Sequence, residues 1–348
     1  MKQNKKKIIP LDKFIDFALY NKKRGFYMKQ NPFGSKGDFI TAPDISIIFS
    51  EMITIWIVSF WEYLNKTKKI NIIDMGGGNG EMMSRIIKTS LKFSSFNKSC
   101  NFVIFERSGY LKKIQKKKLL NYKINWTNNL KKLENVPSLF IGNEFFDSMP
   151  IKQLIKKNNI WFEKFVKLSP KNPKIIEKKI SIKNYEKKVG FNFSKRQNFI
   201  EFSPLAVKII KIISKKIKKT NGGLLIIDYG YIEEKMYNTL QAIKKHNQSS
   251  ILKNIGNSDI TYKINYNFIK KLAKKLKLKY NKVTTQRDFL IRLGIFERGE
   301  TISKNLSFSK KANIYYRIKR LVDKNQMGEL FKVMFISCDK TNFQTGFK

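Results

Sequence analysis

The chain of 348 residues carries 71 Lys plus Arg against 26 Asp plus Glu, a formal charge of +45. With 42% hydrophobic and 13% aromatic residues it can bury a sizeable core, which excludes disorder as its global state. Two cysteines and one histidine exclude a disulfide framework and a four-thiolate zinc site, and a Ser-His-Asp hydrolase would have only His246 to use. No metal site is expected.

Of the 71 cations only 9 are Arg, and the lysines are scattered in short runs such as Lys5 to Lys7, Lys116 to Lys118 and Lys215 to Lys219. Specific nucleic-acid readers lean on Arg, whose planar fork pairs with phosphate and guanine, clustered with exposed aromatics. The scatter therefore predicts solvated faces and no specific nucleic-acid site. The amino end, MKQNKKKIIPLDKF, is basic but has no apolar h-region or small-residue cleavage site. A reducing, cytoplasmic location with two free thiols is expected.

In chain order, residues 1–66 read as a helical cap with a Gly/Pro-punctuated loop from Asn31 to Asp44. The apolar stretch Ile47 to Leu64 is interrupted by Glu51 and follows Pro43, Asp44 and Ser46, a helix start. This predicts a buried helix and no transmembrane span. Residues 67–348 read as a Rossmann-like α/β domain. Strands are predicted at Ile70 to Asp74, Phe102 to Glu106, Lys123 to Trp126, Leu139 to Gly142, Leu224 to Asp228, Lys282 to Thr285 and Phe331 to Ser337. Helices fit between them at Gly80 to Lys92, Gly109 to Leu120 and Pro204 to Lys218, the last opened by Ser203 and Pro204. The result is a seven-stranded, mostly parallel sheet. Residues 151–198 read as an inserted excursion: Trp161 to Leu168 alternates like a strand, and the Lys/Pro/Asn-rich segment after it reads as surface turn.

The strongest local motif is Asp74-Met75-Gly76-Gly77-Gly78-Asn79-Gly80, where a buried strand enters a glycine-rich turn and then a helix. Gly76, Gly78 and Gly80 let the backbone turn tightly and approach a ligand closely. The spacing is G-x-G-x-G. A dinucleotide loop would place its third Gly where this chain has Glu81, and a carboxylate there opposes a pyrophosphate at the helix start. S-adenosylmethionine has no phosphate and carries a sulfonium cation, so acids such as Asp74 and Glu81 suit it. Glu106 ends the next strand, where an acid accepts ribose hydroxyls. Asn143, Glu144 and Asp228 stand at the carboxyl ends of further strands, where ligands of open α/β sheets collect.

With these motifs the chain resembles the MidA-type class I methyltransferases. Gly37-Asp38-Phe39-Ile40-Thr41-Ala42-Pro43-Asp44-Ile45-Ser46 is similar to the family's preface signature, followed by Phe49, Glu51 and Trp56. Asn143-Glu144-Phe145-Phe146-Asp147-Ser148-Met149-Pro150 is similar to its hallmark after the fourth strand, and Asp228-Tyr229-Gly230 follows the fifth. Leu240 to Ala242 through His246, then Gly256, Asp259 and Thr261, continue the pattern, as do Thr285-Gln286, Leu293-Gly294-Ile295 and Gly328 to Val333. Departures are Gly76-Gly77-Gly78 where Gly-Pro-Gly is frequent, and Asn129, Ser250 and Asn265 where acids are common.

The resemblance implies S-adenosylmethionine as cofactor, held by Asp74, Gly76, Gly78, Gly80, Glu106 and Asn143. It implies methyl transfer to an arginine of a protein substrate, a respiratory complex I subunit among the candidates, in support of that complex's assembly. A guanidinium stays charged near neutrality, so its methylation needs carboxylates to orient it and take its proton. Glu144, Asp147 and Asp38 are the candidate catalytic acids. Two other readings stand beside this one: an RNA methyltransferase, on charge, and a non-catalytic assembly factor on the same fold.

Overall fold

Ile70–Met75 (β1) is buried at every position, as a strand covered on both faces must be. The computed structural model describes residues 7–29, 32, 41–169, 172–244 and 247–348. Within them β1 is flanked by Cys100–Phe105 (β2) and Asn125–Thr127 (β3) on one side. On the other side lie Ser138–Asn143 (β4) and Gly223–Tyr231 (β5). Lys279–Tyr280 (β6), Thr284–Thr285 (β7) and Phe331–Ser337 (β8) complete this part, with the order β6-β8-β5-β4-β1-β2-β3 and β7 also on β8. The ladders from β5 to β3 are parallel, whereas β8 runs antiparallel to β5, β6 and β7.

The expected mostly parallel sheet is thus corrected to a mixed one. The alternation of strand and helix that signals parallel pairing ends after β5, and β8 returns along it in the opposite direction. The predicted late strand Lys282 to Thr285 is realised as two short pieces, β6 and β7. Parallel pairing from β1 to β5 brings the carboxyl ends of five strands to one edge, and the loops that follow carry the candidate residues.

Contacts group the chain into two units. One holds Met1–Gln30, Phe146–Lys211 and Tyr231–Leu276, and the other holds Asn31–Phe145, Ile212–Gly230 and Lys277–Lys348. This grouping runs across the boundary expected at 66/67. The helix Ile47–Tyr63 is apolar nearly all round and belongs with the β1–β8 sheet, packed on the helix Glu81–Ser90. Ser46 caps it by accepting from the Ile48 N–H at 3.2 Å. Glu51, which interrupts the apolar run, is paired with Arg298 through both carboxylate oxygens at 2.8 and 3.1 Å. Trp56 is fully buried, edge-on to Phe335 of β8 with centroids 5.0 Å apart, and its indole N–H donates to the Thr345 carbonyl at 2.9 Å.

The first-named unit carries an antiparallel sheet in the order Ile8–Pro10, Ile160–Lys167, Lys152–Lys157, Phe199–Phe202, with Lys174–Ile180 also on Ile160–Lys167. The segment expected as surface turn therefore contains a strand, and the helix Ile182–Val189 follows it. Its lysines give it the composition of a solvated turn. Lys174–Ile180 lies at an edge, where charge guards against further pairing, and Lys178 covers the Phe165 ring at 5.0 Å. A buried polar cluster ties this unit together: Lys152 bonds Asp12 at 2.9 Å and also Glu163, and Glu163 accepts from Tyr185 as well.

Candidate active site

The turn after β1 is left-handed at three positions, with φ of +74° at Gly76, +50° at Gly78 and +83° at Gly80. Any side chain would be strained there. At Gly76 a Cβ would also stand 2.7 Å from the ring of Phe145, so the turn passes directly under that aromatic. Gly80 offers no cap to the helix that follows, and Asn79 supplies one by accepting from the Glu81 N–H at 2.9 Å. The same Asn79 amide donates to Asp44 at 2.8 Å, while Asp44 accepts from Thr41 at 2.8 Å. The helix Ala42–Ile45 is thereby tied to the glycine turn.

Asp74, at the end of β1, is 1% exposed, and its Oδ2 has no hydrogen-bond partner among the described residues. Burial, with a contribution from the neighbouring Glu106 charge, pushes its carboxyl up to about 7. Glu106 follows β2 and is buried too. Its Oε1 accepts from the Ser108 N–H at 2.7 Å and its Oε2 from the Gln115 amide at 3.1 Å. Burial raises its carboxyl above the usual range, and these hydrogen bonds oppose the rise. Gln115 is fully buried; its Nε2 also donates to the Gly78 carbonyl at 2.9 Å, and its Oε1 accepts from the Trp126 indole at 3.0 Å. Neither Gln115 nor Trp126 was singled out from the sequence.

Asn143 ends β4 with Oδ1 buried and unpartnered among the described residues. Glu144, one residue on, holds φ of +50°. A non-glycine residue there costs about 1–2 kcal/mol, offset by its N–H donating to the Ile227 carbonyl of β5 at 3.0 Å. Its carboxylate accepts from the Ala42 N–H and the Asn143 amide, each at 3.3 Å. Asp228 is fully buried and braces the backbone, accepting from the N–H groups of Phe145 at 3.2 Å and Tyr229 at 2.9 Å.

Asp74, Gly76, Gly78, Gly80, Glu106, Asn143 and Glu144 all lie in one unit, on the ends or turns of adjacent parallel strands. Asp147 is buried in the other unit. Asp38 and His246 lie outside the described residues. Glu81, expected as an acid that a cationic cofactor tolerates, is engaged elsewhere: Arg85 and Lys118 each bond it at 2.8 Å. Burial would raise its carboxyl, but these two cations outweigh that and lower it. Two of the departures from the family pattern are caps: Asn129 accepts from the Lys131 N–H at 3.1 Å and Asn265 from the Phe268 N–H at 2.7 Å. Asn serves there as well as Asp.

The donor and acceptor set fits S-adenosylmethionine. An unpartnered buried carboxylate oxygen suits a cationic group, and Glu106, fixed by a glutamine, suits a diol. The backbone of a left-handed glycine turn lies open to close approach, and no phosphate is needed to balance the acids. Among the described residues no group of three or more His, Cys, Asp or Glu could hold a metal ion. No helix among them is long and apolar enough to cross a membrane.

Comparison with known proteins agrees with this chemistry. A curated relative from Xenopus laevis, named "Protein arginine methyltransferase NDUFAF7, mitochondrial", is 26% identical over 350 residues, covering 93% of this chain and 80% of that protein. The Homo sapiens protein of the same name is 25% identical, covering 93% and 78%. A Caenorhabditis elegans homolog is 29% identical over 299 residues, covering 78% and 69%. A crystal structure from Burkholderia thailandensis, bound to S-adenosyl-homocysteine, superposes with a TM-score of 0.82 at 19% identity, covering 98% of this chain and 90% of that one, and so shares the fold. The cytoplasmic location expected from sequence is withdrawn, because these relatives are named as mitochondrial. The family model for S-adenosyl-L-methionine-dependent methyltransferases matches residues 52–284, two-thirds of the sequence and the whole of the strand-end site, and the chain belongs to that family.

Proposed function

We propose that the chain methylates an arginine side chain of a protein substrate, with a respiratory complex I subunit as the first candidate. The observation that carries the reading is Glu144, a glutamate kept in a strained left-handed conformation at the end of β4. Strain of this kind persists where the position of a side chain matters. Bound S-adenosylmethionine supplies an electrophilic methyl group on a sulfonium. Asp74 offers its unpartnered oxygen to a cationic part of the cofactor, and Glu106 accepts from the ribose hydroxyls. Asn143 adds an amide at the same strand ends.

Glu144 holds the guanidinium by charge and orients the attacking nitrogen. Its hydrogen bonds to Ala42 and Asn143, 3.3 Å each, set the carboxylate at the end of β4. Asp147 and Asp38 are proposed as proton acceptors on their place in the sequence motifs alone. Arginine as the acceptor is supported by the names of the curated relatives.

The test is methyl transfer. Purified complex I subunits incubated with labelled S-adenosylmethionine should gain methyl mass at an arginine, located by peptide mass spectrometry, and Glu144→Gln should remove most of that gain. Label in RNA with none in protein would overturn the reading.

A further inference from the structure

The helix Phe308–Val322 has two unlike faces. Ile318, Leu321 and Val322 are buried in the core, and Gly299 on the preceding helix allows close approach, since a Cβ there would stand 2.5 Å from Ile318. A neighbouring, exposed face carries Phe308, Ala312, Tyr315, Tyr316 and Lys319, which recur at helical spacing. Phe308 is 87% exposed and Tyr316 63%, and Leu306, just before the helix, is exposed as well. A Phe so far into solvent has no role in the packing of its own unit.

The charge around this face has one sign. Between Glu300 and Asp323 the chain has six cations, Lys304, Lys310, Lys311, Arg317, Lys319 and Arg320, and no acid. We propose that this helix docks through its outer face on an anionic phospholipid surface, with Leu306, Phe308 and Tyr316 entering the headgroup boundary and the lysines beside the lipid phosphates. Aromatic and leucine side chains opposed by flexible cations are the composition of a helix lying in a membrane interface.

The same features disfavour other occupants. A second copy would bring two acid-free, cationic faces together. A single-stranded nucleic acid would want stacking rings with free guanidinium groups. Here Leu306 cannot stack, and Arg317 is taken up by the Asn313 side chain at 2.6 Å and the Ile45 carbonyl at 3.1 Å.

The experiment is vesicle flotation of the full chain at physiological salt. Phosphatidylcholine vesicles are compared with vesicles in which about one-third is phosphatidylglycerol. The expected result is capture by the anionic vesicles only, weakened roughly 10²-fold or more by Phe308→Ser with Tyr316→Ser, on the scale of two lost apolar side chains. Unchanged S-adenosyl-homocysteine binding by the double variant shows that it is folded. Equal capture of wild type and double variant would mean that scattered lysines do the binding, and would overturn the proposal. So would capture by neither vesicle, a dimer that the double variant dissolves, or RNA binding that it abolishes.

Discussion

The side-chain amide of Gln115 donates to the Glu106 carboxylate at 3.1 Å and, from the same nitrogen, to the Gly78 carbonyl at 2.9 Å. One buried residue therefore fixes the acid after β2 relative to the glycine turn after β1. Its remaining oxygen is satisfied by the Trp126 indole. Replacing it leaves an acid, a carbonyl and an indole N–H without this partner, at about 1–3 kcal/mol for each buried group left unsatisfied.

For Gln115→Leu the expected outcome is a rise in the cofactor KM of roughly tenfold or more, on that scale of lost positioning. The maximal rate should change little, because Gln115 positions Glu106 and the turn and touches no reacting atom. A fall in kcat with KM unchanged would show that this assignment is wrong.

Asp74 makes the free protein sensitive to pH. Its folded carboxyl is raised to about 7, above the unfolded value near 3.8, so between these the native state holds the extra proton. Stability from this group is present in full below the unfolded value and is lost as pH rises through about 7. The cost at higher pH reaches roughly 4 kcal/mol at most. A cation bound at Asp74 wants the ionised form, so cofactor affinity should fall up to about tenfold per pH unit below that point. Binding should release a proton, seen in calorimetry as a heat that depends on buffer ionisation. Asp74→Asn should abolish the release; a variant that releases the same proton would place the linkage elsewhere.

Glu144→Gln keeps size and removes charge. Methyl transfer should fall by about 10²-fold or more, the scale of a lost electrostatic stabiliser. Cofactor affinity should hold, since the cofactor's acids belong to β1 and β2. Both quantities are to be measured on one preparation. Undiminished transfer would remove Glu144 from the mechanism.

Trp56→Ala tests the core beneath the site. The indole packs on Phe335 and Phe343 with centroids 5.0 and 5.4 Å away, and its N–H satisfies Thr345. A loss of about 3–5 kcal/mol is expected for an aromatic of this size, read as a lowered denaturation midpoint. A loss under about 1 kcal/mol would mean that the site refills.

Much of the sheet was legible because its strands are largely buried and so are mostly apolar. Phe331 to Ser337 has the bounds predicted, and Ile70–Met75 and Ser138–Asn143 extend by only a residue or two. The glycine turn was legible because left-handed backbone selects its residue. Gln115 was not, because its partners stand 37, 9 and 11 residues away and nothing in a Lys-rich helix marks one glutamine as buried. Asp44 reads as part of a helix start, and its bond to Asn79 shows only when the chain has folded back. Asp147 stands three residues after Glu144 yet belongs to the other unit, a change of neighbourhood that spacing does not encode.

Cofactor binding at the strand ends is the claim on which the rest depends, and calorimetric titration with S-adenosyl-homocysteine tests it most directly. Wild type should bind one equivalent. Gly78→Val, which forces a branched side chain into a backbone at φ +50°, should bind far more weakly while retaining its fold. NADH should give no heat. Binding of NADH with none of S-adenosyl-homocysteine, or a Gly78→Val protein that binds as tightly as wild type, would contradict the account.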